Sequence, residues 1–67
     1  MNKLREARKA RGLSQLRLSF LTNIPPATIS RIENNHVQPF PGWRRRLSNA
    51  LGATEHEIFP NGGADGK

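Results

Sequence analysis

GLSQLRLSFLTNIPPATISRIENN, residues 12–35, is the stretch on which the reading of this chain turns. Ser14 suits the position just before a helix, because its hydroxyl accepts from an amide of the first turn, and it opens a helix from Gln15 to about Thr22. The inward residues of that helix are Leu18 and Leu21, and Ser19 is small enough to let another helix cross close to it. Asn23 tolerates a left-handed backbone, so the chain turns sharply before Ile24. Pro25 and Pro26 start the next helix, where Pro26 fits the first helical position because the amide it lacks would have had no partner there. That helix closes at Asn34 and Asn35. Ile29 and Ile32, at i, i+3 spacing, mark its inner side, which turns Ala27, Ser30, Arg31 and Asn34 to the other.

The same punctuation organises the flanks. A segment from about Asn2 to Arg11 is rich in Leu, Ala, Arg, Lys and Glu and stops at Gly12, which can take the left-handed conformation while Leu13 folds back on the last turn. After a loop from His36 to Phe40, Pro41 begins a helix through Trp43, Leu47, Ala50 and Leu51, spaced i, i+4, i+7, i+8, and Gly52 closes it. Thr54 and Glu57 form a capping box ahead of Ile58, and Pro60 ends the fold. Nothing alternates like a strand. Short loops joining five helical segments predict an all-α fold, a compact five-helix bundle in one domain over residues 1–60. Residues 61–67, with three glycines and no large apolar side chain, predict a disordered tail.

Composition narrows the function classes. The 67 residues contain 11 basic and 5 acidic side chains, a formal charge of +6, with no cysteine. Between Ala7 and Thr54, Glu33 is the single acid among Arg8, Lys9, Arg11, Arg17, Arg31, Arg44, Arg45 and Arg46. An anionic partner is the expectation, against the plainer reading of a solubilising surface. Disulfides and cysteine metal sites are excluded. No run approaches the ~20 apolar residues of a membrane span, and no apolar signal core opens the chain, so a cytoplasmic location is expected. A membrane-active helix would need one long amphipathic element, which Gly12, Asn23, Pro25 and Gly52 break up. The serines lack a matched acid and base and no phosphate-cradling glycine loop occurs, so the expectation is a non-enzyme without a cofactor. His36 and His56 lie in different elements, which argues against a metal site.

Two short helices around a tight turn, the second amphipathic with short outward side chains, is what insertion into a DNA groove demands, since bulky side chains would hold the backbone off the base edges. At these residues the chain resembles the phage repressor and Cro type of helix-turn-helix protein, also called XRE-like. The resemblance is carried by Gly12 to Gln15, by Ile29 to Asn34, and by LSNALG at residues 47–52, and spans about Leu4 to Ile58. It implies a five-helix bundle of the phage repressor DNA-binding domain type that binds a two-fold symmetric operator as a dimer. It also implies that Gln15 contacts a phosphate beside the start of its helix, at Ser14 and Gln15, where free amides and the helix dipole favour an anion. Arg8 and Glu33 match a family ion pair; the alternative is an exposed Glu33 with no particular contact.

The resemblance places base-reading positions at Pro26, Ala27, Thr28, Ser30 and Arg31. The planar fork of Arg31 fits guanine O6 and N7, or alternatively clamps a phosphate. Ala27 and Thr28 offer methyl groups suited to thymine. Pro25 and Pro26 depart from the family pattern, which favours a capping Ser or Thr and then a polar reader; readout at that end must be apolar or shape-based. Asn34, Asn35 and His36 fall in the loop that approaches phosphates in the family, with Asn35 where a left-handed glycine is frequent. Of Arg44, Arg45 and Arg46, Arg44 is the candidate for a phosphate contact, the alternative being a solvated face covering Trp43. Leu16 and Phe20, at i, i+4, form an apolar pair where the family is usually polar, which suggests a protein contact, dimer or regulatory partner, or else packing beneath the C-terminal segment. The leading expectation is a transcriptional regulator, a repressor by family habit, on double-stranded DNA. The alternative is the same fold used as a protein-interaction module, such as an adaptor or antitoxin.

Overall fold

Each helix of the computed structural model, which describes residues 2–60, ends where a residue can leave helical geometry. They are α1 (Leu4–Ala10), α2 (Gln15–Thr22), α3 (Pro26–Glu33), α4 (Pro41–Leu51) and α5 (Glu55–Ile58), with no strand among the described residues. The fold is all-α with five helices, as anticipated. The tail expected at residues 61–67 lies outside the described residues.

Two of the helix ends share one construction. Gly12 at φ +70° and Asn35 at φ +61° each follow a helix. Behind α1 the Gly12 amide donates to Lys9 O and the Leu13 amide to Arg8 O. Behind α3 the Asn35 amide donates to Ile32 O and the His36 amide to Arg31 O. Such a left-handed residue satisfies carbonyls that the helix itself cannot. Asn23, also at φ +61°, makes the turn between α2 and α3. Ser14 Oγ accepts from the Arg17 amide, and Thr54 and Glu57 form the anticipated reciprocal box.

α2 packs on α3 and α4, α1 on α3, and α4 on α5. Leu4, Leu18, Ile24, Ile29, Ile32, Leu47, Leu51, Ile58 and Phe59 make one core, with Leu13, Trp43 and Ala50 packed against it. Leu21 corrects the sequence reading: it is 56% exposed and Thr22 is buried in its stead. α2 meets its neighbours along the i, i+4 line of Leu18 and Thr22, and Leu21 falls off that line onto the edge of α4, in an open groove with Arg46, Asn49 and Ala50. Thr22 can be buried because its hydroxyl donates to Leu18 O at 2.8 Å and accepts from the Ile24 amide at 3.3 Å. α1 is shorter than anticipated, since Asn2 stands outside it and accepts from the Leu4 amide through Oδ1.

Candidate nucleic-acid interface

The inner side of α3 is fastened by Ile29, Ile32 and Glu33, all buried. Glu33 is the centre of a polar cluster. Arg8 donates from Nε to Glu33 Oε2 at 2.6 Å and from Nη2 to Oε1 at 3.3 Å. Arg5 Nε reaches Oε1 at 3.4 Å and Gln15 Nε2 donates to it at 3.1 Å. Arg8 also donates to Leu13 O, so it joins the end of α1 to the end of α3. Burial of Glu33 raises its pKa, but the hydrogen bonds from Arg8 and Gln15, the Arg8 charge and the Arg5 hydrogen bond outweigh that and hold the carboxyl below its ordinary value. A carboxylate buried among several donors remains charged because the donors replace its lost water. An exposed, uncommitted Glu33 is thus not what the fold contains.

The outer side of α3 is left open by the described residues. Pro26, Ala27 and Arg31 are exposed, Thr28 and Ser30 are half-buried, and Ala27 and Arg31 share one line at i, i+4. No side chain caps α3, and Pro25 occupies the capping place with extended backbone. At the start of α2, Ser14 is exposed and Gln15 half-buried. Gln15 gives one amide hydrogen to Glu33, which orients the side chain and leaves the second for another acceptor.

Beyond α3, Asn34 accepts from Arg5 Nη2 at 3.0 Å and donates to Ser30 O at 2.9 Å. Asn35 accepts from Asn2 Nδ2 at 3.1 Å, and the same Asn2 group donates to Ile32 O at 2.8 Å. His36 is exposed. Arg44 lies apart from these residues: its side chain is 18% exposed and its Nε is 3.6 Å from Glu55 Oε1. Arg45 and Arg46 are exposed, with Arg46 Nη1 donating to Thr22 O. Leu16 and Phe20 are 56% and 72% exposed. Packing of that pair beneath the C-terminal segment is therefore not seen among the described residues.

Sequence reasoning missed Arg5 and Asn2. Arg5 carried a signal, standing at i, i+3 from Arg8 and so on the same side of α1. Asn2 carried only its residue type, which suits the approach to a helix. Among the described residues, no group of three His, Cys, Asp or Glu side chains is placed to hold a metal ion, and no helix is long and apolar enough to cross a membrane.

A helix that seats Leu18 and Thr22 in the core, a left-handed asparagine turn and a second helix with Arg31 exposed on its outer side define a helix-turn-helix domain. The chain belongs to the helix-turn-helix family of the phage repressor and Cro type, a DNA-binding family, whose sequence profile matches residues 4–41, more than half of its length. Among curated proteins, no relative matches the chain.

Proposed function

We propose that this chain is a sequence-specific regulator of transcription, a repressor, that inserts α3 into the major groove of double-stranded DNA. The observation that supports the reading is the two-sidedness of α3. Its inner side is pinned by the Glu33 cluster, while Ala27 and Arg31 are exposed, with none of the described helices over them. Ser14 and Gln15 at the start of α2, and Asn34, Asn35 and His36 after α3, lie on the phosphates that flank the groove. Arg31 reads a guanine, and Thr28 and Ser30 sit at the sides of the contact. Arg44, turned towards Glu55, contributes to the field more than to a direct contact. The protein acts without cofactor or catalysis, in the cytoplasm, and binds as a dimer on its operator. Leu16 and Phe20 are the surface assigned to a protein contact, with the second copy or with a regulatory protein.

Selection of bound duplexes from a random library tests this. A recurring motif is the expected result, palindromic for a dimer, together with affinity that falls steeply as salt rises because phosphate contacts release counterions. Absence of any salt-sensitive duplex binding would overturn the proposal and favour an interaction module.

A further inference from the structure

The leading end of α3 opens with three residues whose side chains can neither donate nor accept a hydrogen bond. Pro25, Pro26 and Ala27 are exposed in succession. Neither proline has an amide hydrogen. The amides of Thr28 and Ile29 are both already bonded to Pro25 O, each at 3.0 Å. At most the Ala27 amide is left to donate, and the side chains of all three residues are hydrocarbon. One turn further along the same side stands Arg31, exposed, with five donors.

We propose that the duplex taken by this site is distinguished by the C5-methyl groups of pyrimidines, read by Pro25, Pro26 and Ala27, beside a polar contact made by Arg31. This rests on the reading of α3 as the groove-inserting element and names what that element selects. In the major groove thymine alone among the four bases presents an apolar group; the other edges present donors and acceptors. Against two prolines and an alanine those polar edges lose water and gain no partner. A methyl group gains by the same contact. The chemistry does not depend on the rest of the base, so 5-methylcytosine, whose methyl occupies the place of the thymine methyl, is accepted where cytosine is not.

Replacing thymine by 2′-deoxyuridine removes the methyl and leaves base pairing intact. Duplexes recovered from a random library are made with thymine or with deoxyuridine, and binding is followed by fluorescence anisotropy. Each methyl under the apolar end is expected to contribute about fourfold in affinity, the size of one buried methyl-sized group. Substitution one position at a time should give such steps at a contiguous run of pyrimidines. Putting 5-methylcytosine in place of thymine at those positions should retain binding, and unmethylated cytosine should lose it. In the variants Pro26→Ser and Ala27→Ser, the preference for thymine over deoxyuridine should shrink. Equal binding of thymine and deoxyuridine duplexes by the unaltered protein overturns the inference and leaves the DNA-binding reading standing. A preference that survives in both variants also overturns it, since the methyls are then read elsewhere. Failure to bind any duplex removes the functional proposal itself.

Discussion

Glu33 is the residue on which most of the polar architecture converges. Its side chain has no exposed surface, and its partner Arg8 is 10% exposed. Removing one member of a buried pair strands the other, at a cost of about 3–5 kcal/mol. Glu33→Gln should therefore destabilise the fold by that amount in urea denaturation, and the loss should exceed that of Arg5→Gln, whose guanidinium is half-exposed. The pH dependence has a definite sign. Because the folded carboxyl is held below its ordinary value, its contribution is present above the ordinary carboxylate range and disappears as pH falls through the lowered folded value. The Glu33→Gln protein should lose less stability than the parent on acidification over that interval; parallel stability curves would contradict this. Arg31 is the counterpart on the outer side. Arg31→Ala should weaken binding to a selected operator by roughly 1–3 kcal/mol more than binding to random duplex, if the guanidinium reads a base. Equal losses on both duplexes, measured by anisotropy at one salt concentration, would make it a phosphate clamp.

At the scale of elements, the angle between α2 and α3 depends on a single left-handed residue. Asn23 stands at φ +61°, a conformation that asparagine adopts more readily than other residues with a Cβ. Asn23→Ala should destabilise by about 1 kcal/mol and Asn23→Gly by much less, as read from thermal midpoints. The elements also show what could be read early. Ser14, Gly12, Gly52, Thr54 and Glu57 each stood in the sequence at the helix end where the structure has them, because capping is decided within four residues of chain. Leu21 could not be placed that way. Whether Leu21 or Thr22 turns inward depends on how α2 lies against α4, and the two candidates differ by one residue on the wheel.

At the scale of the whole molecule, the bundle leaves large apolar side chains outside its core. Leu16 and Phe20 project from α2 and Phe40 from the start of α4, where its ring meets Trp43 edge-on at 5.0 Å. Natural single domains seldom keep such groups without use. Leu16→Glu together with Phe20→Glu should abolish association, whether of the dimer or with a regulatory partner, and leave the thermal midpoint close to that of the parent, since neither side chain belongs to the core. Sedimentation that shows unchanged self-association, with partner binding also unchanged, would rule the pair out as a contact surface.

The sequence alone determined the five helical segments, the caps at Ser14, Gly52 and Thr54, the left-handed turns at Gly12, Asn23 and Asn35, and the short outward side chains of α3. These follow from local sterics and from a periodicity that any single helix displays. Pairing of Arg8 with Glu33 was legible only through the family resemblance. Only the tertiary structure decided that Arg5 and Gln15 join that pair, that Asn2 ties itself to the end of α3, and that Arg44 turns to Glu55. Those contacts bring together residues from 11 to 33 positions apart, or bind them to one carboxylate, and their geometry is set by the packing of helices on a shared core. No pattern within one segment encodes it.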